Sequence, residues 1–226
     1  MPIQWLSALN ESNRFLLLDG AAQLGIDLAP AACDRLLVYL AELMRWNRRI
    51  NLIARNTDEK QAMESHFLDS LTLLPLLGRN DGAVHLLDVG SGAGFPGLVL
   101  ACALPGVHFT LAEPRQKRAS FLRHLIRQLG LPHVEVVVDR IESRATTWHG
   151  RFSHVTGRAV AEPDAFLRLI HPLTTPATKV ILMLTREEAL AHVEGIGTGF
   201  WRTVDSAHFI LPFSRAPRFL AVVSSP

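Results

Sequence analysis

The chain has 226 residues, 48% of them hydrophobic and 19% charged, with a formal net charge of +2. A chain this apolar buries a sizeable core, which excludes wholesale disorder, and its length suits one ordinary α/β domain or a core with a small appendage. Its apolar runs, such as residues 98–104, fall far short of the about 20 residues that a bilayer span needs. Residues 1–13 carry neither the basic nor the long apolar stretch of a secretory leader. The two cysteines, Cys33 and Cys102, make no disulfide framework and no four-thiolate site. A cytoplasmic protein with no membrane segment and no metal is expected.

Residues 1–80 read as helical. Leu36, Leu40 and Leu43, flanked by Leu37 and Met44, repeat at helical spacing behind Pro30. A second helical stretch is expected over 58–77, with Phe67, Leu68, Leu71 and Leu74 on its apolar face. Between them Trp46-Asn47-Arg48-Arg49-Ile50-Asn51-Leu52 crowds polar and apolar residues together. From about residue 83 short runs of Val, Ile and Leu alternate with helical segments. Strands are expected at 84–89, 109–112, 134–138, 154–156 and 179–184, and helices at 97–103, 115–129 and 163–170. That alternation predicts a parallel sheet with helices on both faces. Residues 206–211 and 219–224, joined by a Pro/Arg-rich turn, read as a closing antiparallel pair. The expected organisation is an N-terminal helical cap, 1–80, on an α/β core, 81–226, folded as one unit.

The most informative segment is Asp88-Val-Gly90-Ser-Gly92-Ala-Gly94-Phe95-Pro96-Gly97, between an apolar strand and an apolar helix. Glycines there permit a tight turn and a close ligand approach to bare backbone, and helix-start amides suit a carboxylate or other anion. Two nucleotide-type cofactors compete. A dinucleotide needs the helix amides for its pyrophosphate and has no use for an acid before the first glycine. S-adenosylmethionine has no phosphate, and an acid at Asp88 can orient its amino-acid part, directly or through water. Asp88 therefore favours S-adenosylmethionine, with a loop-ordering carboxylate as the plainer alternative. Glu113, ending the next strand, can accept ribose hydroxyls in either cofactor class. The run Asp139-Arg140-Ile141-Glu142 after the third strand offers amides and an acid for the adenine.

The chain lacks an Asn/Asp-Pro-Pro-Tyr/Phe motif for gripping an exocyclic amine, and its cysteines sit in helical, apolar surroundings unsuited to nucleophilic attack. An acceptor with a free lone pair, such as guanine N7, needs only positioning for in-line attack. Residues 114–158 hold nine basic and three acidic residues, a weak pointer to a polyanion that also suits a solvated helix face. Arg115, Lys117, Arg118, Arg123 and Arg127 surround the apolar stripe Leu122, Leu125, Ile126, Leu129, and Arg48 and Arg49 lie beside Trp46. These seven cations are the RNA-binding candidates. Trp46 reads as a core anchor before it reads as a base-stacking ring.

Several segments together carry a family resemblance: Trp46-Asn-x-x-Ile-Asn-Leu52, His66-Phe-Leu-Asp-Ser70, the Asp88–Gly97 loop, Lys117-Arg118 with Phe121-Leu122 and Leu129-Gly-Leu131, and Gly157-Arg158-Ala159. The chain resembles the bacterial 16S ribosomal RNA guanine-N7 methyltransferase family, also called glucose-inhibited division protein B. The resemblance implies a class I, Rossmann-like methyltransferase fold with a helical cap. It implies S-adenosylmethionine as donor and a guanine of 16S ribosomal RNA, free or in the small subunit, as acceptor; a monomer is expected. By position, Gly90 and Phe95 would contact the donor, as would Ile141 and Glu142 near its adenine, and Arg158 matches the family's arginine at the cofactor or substrate edge; from the loop itself Asp88, Gly92, Gly94 and Glu113 are expected to hold the donor as well. Three places depart from the pattern: Glu113-Pro114 replaces Asp-Ser, Gly157 replaces a serine, and Leu184-Thr185 stands near the family's Lys-Gly. The last leaves open a ribosome-binding relative without turnover, or a methyltransferase of another substrate.

Overall fold

The structure, a computed structural model, describes residues 3–77, 83–195 and 201–225. The expected boundary between cap and core, at 80/81, lies outside the described residues. The cap begins with α1 (Ile3–Gln23) and α2 (Pro30–Asn47); Pro30 opens α2, where a missing amide costs nothing. Leu36, Leu40 and Leu43 are buried along α2 as the spacing predicts, together with Tyr39.

The helix expected over 58–77 is instead broken into pieces. Asp58 and Gln61 form a capping box that starts α3 (Glu59–Ala62). A π-helical segment, Met63–Leu68, follows, then α4 (Asp69–Leu71) and α5 (Leu74–Leu77). The Thr72 hydroxyl donates to the Asp69 carbonyl (2.6 Å), and Pro75 has no amide to continue the ladder, so the helix stops between α4 and α5.

The core then alternates: β1 (His85–Val89), α6 (Gly97–Ala103), β2 (His108–Ala112), α7 (Gln116–Leu129), β3 (Val134–Val137), a 3-10 turn Ile141–Arg144 with α8 (Ala145–Trp148), β4 (His154–Gly157), α9 (Pro163–Ile170), β5 (Lys179–Leu184), α10 (Glu187–Gly195), β6 (Arg202–Ile210) and β7 (Pro217–Ser224). The sequence pattern did not announce α8 and α10. The sheet has seven strands in the order β3-β2-β1-β4-β5-β7-β6. The first five are parallel, and β7 runs antiparallel to both of its neighbours, so the expected closing pair is present and is wedged against β5. This is the expected Rossmann-like α/β class.

Period-two alternation splits the core into two layers. On β5, Ile181 joins the layer beneath the cap, with Tyr39, Leu40, Phe67, Leu98 and Phe121. Val180, Leu182 and Leu184 face the other layer, with Trp148, Phe152, Phe166 and Phe219. The cap helices therefore share one continuous core with α6 and α7. Strand order reverses at β1, which pairs with β2 on one side and β4 on the other, and open α/β sheets bind ligands at the strand carboxyl ends of such a point.

Candidate functional site

At the carboxyl end of β1 the chain turns through Gly90, Gly92 and Gly94, with φ of 66°, 59° and 102°, before entering α6. Gly94 is required twice over, because its φ is left-handed and a Cβ there would lie 2.4 Å from the Tyr39 hydroxyl oxygen. Gly92 is different: the nearest atoms to a Cβ there are 3.7 Å away, so its left-handed backbone lies open on one side.

Two acids hold this loop. Glu113, at the end of β2, is only 2% exposed. Its Oε2 accepts from the Gly92 amide (2.9 Å) and its Oε1 from the Arg115 amide (2.8 Å), so one carboxylate spans the loop and the start of α7. Each oxygen retains a second lone pair. Asp88 is fully buried under the loop. Its Oδ2 accepts from the Gly97 amide (3.0 Å), and its Oδ1 has no hydrogen-bond partner among the described residues. Burial pushes its carboxyl up to about 7. This geometry makes Asp88 a brace for the loop and for the start of α6.

The cap braces the same loop from above. The Tyr39 hydroxyl donates to the Ala93 carbonyl. Phe95 is buried, stacked on Tyr39 (5.7 Å between centroids) and on His66 (4.8 Å). Arg158, just beyond β4, lies over Phe95 with its guanidinium 5.0 Å from the ring centroid. Its Nη1 donates to the Ser65 carbonyl (2.9 Å) and to Asp69 Oδ2 (3.2 Å), and its Nη2 donates to His66 Nδ1 (3.0 Å). His66 is thus a neutral acceptor with its proton on Nε2; burial, then the Arg158 charge, push its pKa down to about 4. Asp69 also accepts from Arg218 Nε of β7 (2.7 Å), so one buried carboxylate is shared by two arginines. Glu64 Oε1 accepts from the Phe213 (2.6 Å) and Ser214 (2.8 Å) amides in the β6–β7 turn. Every one of these cap acceptors lies on or beside the π-helical segment, a geometry that recurs at functional sites.

Ile141 is buried and Glu142 exposed in the 3-10 turn after β3, at the same carboxyl edge of the sheet. The RNA candidates divide. Arg48, Arg49, Arg115 and Lys117 are exposed, and Arg118 reaches over Gly92 to donate to the Asn51 carbonyl (3.4 Å), which brings the Arg48–Arg49 corner to the loop. Arg123 donates to the Val136 carbonyl (3.4 Å), and Arg127, in the last turn of α7, sits about 16 Å along the axis from the helix start. Trp46 packs on Phe121 (5.5 Å) and His124 (5.3 Å), between cap and core.

Tyr39, Asn47, Glu64, His66, Asp69 and Arg218 had no role assigned from sequence. Asn47 Oδ1 accepts from the Leu52 (2.9 Å) and Ile53 (3.0 Å) amides, so it shapes the corner that carries Arg48 and Arg49. Two signals were available in the sequence: the crowding of polar and apolar residues over 46–52, which holds Asn47, and the pair His66 and Asp69 on an otherwise apolar face. Among the described residues no group of three or more His, Cys, Asp or Glu is arranged to hold a metal, and no helix is long and apolar enough to cross a membrane. Cys102 is buried and its thiol is pushed up to about 12, which disqualifies it as a nucleophile.

A family model described as rRNA small subunit methyltransferase G (GidB) matches residues 32–194. Ribosomal RNA small subunit methyltransferase G of Desulfotalea psychrophila is 38% identical over 208 residues, covering 90% of this chain and 94% of the relative. Its namesake in Geotalea uraniireducens is 34% identical over 221 residues, covering 95% and 98%. Among solved structures, the O-methyltransferase from Bacillus cereus in complex with SAH superposes with a TM-score of 0.56 at 16% identity, over 84% of this chain and 91% of that one, a likeness of fold alone. With both length and motifs matched from the cap through α10, the chain belongs to the GidB family of rRNA small subunit methyltransferases G.

Proposed function

We propose that the chain transfers a methyl group from S-adenosylmethionine to N7 of a guanine in small-subunit (16S) ribosomal RNA. The observation that carries this reading is the braced glycine loop at the sheet's switch point, in a chain of the GidB family. The loop suits a ligand whose ribose hydroxyls are free, and membership of a methyltransferase family favours S-adenosylmethionine over NAD among such ligands. Gly92 presents bare backbone beside Glu113, whose remaining lone pairs suit two ribose hydroxyls, while Gly90 lies under the Val160 side chain; the buried carboxylate would repel a ribose phosphate. Ile141 and Glu142 would border the adenine. Asp88 from beneath and Phe95 against the cap would keep the loop in shape, and Arg158 would border the reacting edge while tied to the cap.

S-adenosylmethionine, when bound, supplies an electrophilic methyl group on a sulfonium. Guanine N7 carries a free lone pair, so the chain has no proton to remove and its residues act by positioning. Arg48, Arg49, Arg115, Lys117 and Arg118 would supply cations for RNA phosphates on the loop's side of the molecule; Arg123 and Arg127 would extend that surface along α7.

Calorimetric titration with S-adenosylmethionine and with NAD tests the donor; NAD binding without S-adenosylmethionine binding defeats the reading. Labelled methyl incorporation into undermethylated small subunits tests the acceptor, and reduction with aniline cleavage maps the base. One observation favours a second reading. Leu184, buried at the end of β5 in register with Phe219, offers no hydrogen bond where the resemblance implies a lysine. Binding to small subunits with no methyl incorporation would establish that non-catalytic relative.

A further inference from the structure

A cleft of about 640 Å³ opens at the carboxyl end of β5, lined by Arg186, Glu187, Glu188, His208, Ile210 and Phe219 among others. Strand register places it on the same edge of the sheet as the glycine loop. Leu184 pairs with Phe219, and Phe219 with His208, so the ends of β5, β7 and β6 converge there. The cleft lies two strands from β1, beyond β4, whose end carries Arg158.

Its lining combines a stacked ring pair, an apolar wall and charges of both signs. His208 is exposed and stacked flat on the buried Phe219, with centroids 4.7 Å apart and planes 9° from parallel. One face of the imidazole is thus seated on a fixed ring, and the residue remains open to solvent, as a stacking platform requires. Ile210, 37% exposed, adds an apolar wall. The Arg186 side chain is exposed and makes no hydrogen bond or ion pair among the described residues. Glu187 and Glu188, also exposed, add acceptors. A groove that only tracked phosphates would not carry two carboxylates. A ring platform beside both a cation and acceptors matches the face and the edge of a nucleobase, which stacks and offers both acceptors and amine hydrogens.

We infer that this cleft binds one unstacked base of the single-stranded RNA segment that carries the target guanine, stacked on His208, with Arg186 and the neighbouring carboxylates reading its edge. This inference rests on ribosomal RNA being the methyl acceptor. It makes His208 and Arg186 substrate-binding residues with no part in donor binding.

The test compares the full chain with His208→Ala, His208→Phe and Arg186→Ala. The readouts are methyl-transfer kinetics on unmethylated small subunits, fluorescence anisotropy with a labelled single-stranded ribosomal RNA fragment, and calorimetric donor affinity. His208→Ala and Arg186→Ala should each raise the KM for RNA and weaken the fragment by about 5- to 100-fold. Donor affinity and kcat should stay close to wild type, and His208→Phe should keep the wild-type KM because the platform survives. Wild-type KM and RNA affinity in both alanine variants would overturn the cleft alone. A wild-type chain that neither methylates nor binds the RNA would overturn the parent reading and the cleft with it. Loss of donor binding in the exposed Arg186→Ala variant would assign the residue elsewhere and likewise overturn the proposal.

Discussion

Asp88 and His66 are both buried beside the loop, and burial makes them titrate in opposite senses. The Asp88 carboxyl is raised from 3.8 to about 7, so folding holds a proton that the unfolded chain releases. Its stability cost is absent below about pH 4, grows through pH 4–7 and is constant above. Asp88→Asn keeps an acceptor for the Gly97 amide without that cost. Its melting temperature relative to wild type should therefore climb between pH 4 and 7 and then level off. His66 is lowered from 6.5 to about 4, so the unfolded chain takes up the proton first. Its contribution is complete above about pH 6.5 and is lost as the pH falls toward 4. His66→Gln should flatten the acid side of the stability profile, measured by thermal melts against wild type. Neither shift is visible in the sequence, where Asp88 stands as a motif acid and His66 as one of ten histidines. Both arise from what the fold stacks above and beneath the glycine loop.

Among the elements, the π-helical segment and α4 carry the buried charges that join cap to core. Asp69 bridges Arg158 and Arg218, and removing it leaves two partly buried cations without their shared carboxylate. Asp69→Ala should destabilise the chain by about 3–5 kcal/mol in urea unfolding. It should also weaken donor affinity, because Arg158 over Phe95 and His66 loses its anchor; unchanged donor affinity in a folded variant would show that the clamp is structural alone. Elements with local signals were legible. α9 begins at Pro163 and α6 just after Pro96, where a ring limits the backbone, and both were located from residue pattern alone. The break within 58–77 escaped the periodicity reading, since the Thr72 bond and the π-helical turn leave the leucine spacing intact, although Pro75 marks the place in the sequence. Tyr39 and Arg218 escaped for a different reason: their partners Ala93 and Asp69 lie 54 and 149 residues away in sequence.

Across the whole molecule, the cap and the core are joined by packing before they are joined by charge. Phe67 and Tyr39 fill the same layer as Leu98 and Phe121, so a chain beginning at residue 81 would leave α6 and α7 with their apolar faces bare. Such a truncation should be insoluble, as a solubility assay of the expressed fragment would reveal. The cationic surface, by contrast, is a matter of additive field. Arg115→Ala and Lys117→Ala should each lower the slope of log affinity against log salt by about one for ribosomal RNA, with the fold unchanged. The alternating strands, the parallel sheet, the glycine loop and the basic helix were all readable from local pattern. The partnership of cap and loop was not, since it depends on which buried groups the fold brings face to face.

The position of β7 has a consequence for how the chain is made. It is the last strand in chain order, yet it sits inside the sheet, between β5 and β6. Until residues 217–224 have been synthesised, β5 is an open edge, Asp69 has only one of its two arginines, and β6 has no neighbour. Between the synthesis of β5 (Lys179–Leu184) and that of β7 (Pro217–Ser224) the nascent chain therefore holds an unpaired, apolar strand edge. Only β7 gives β6 a neighbour, so the far edge of the sheet depends on the pairing of β7 with β5.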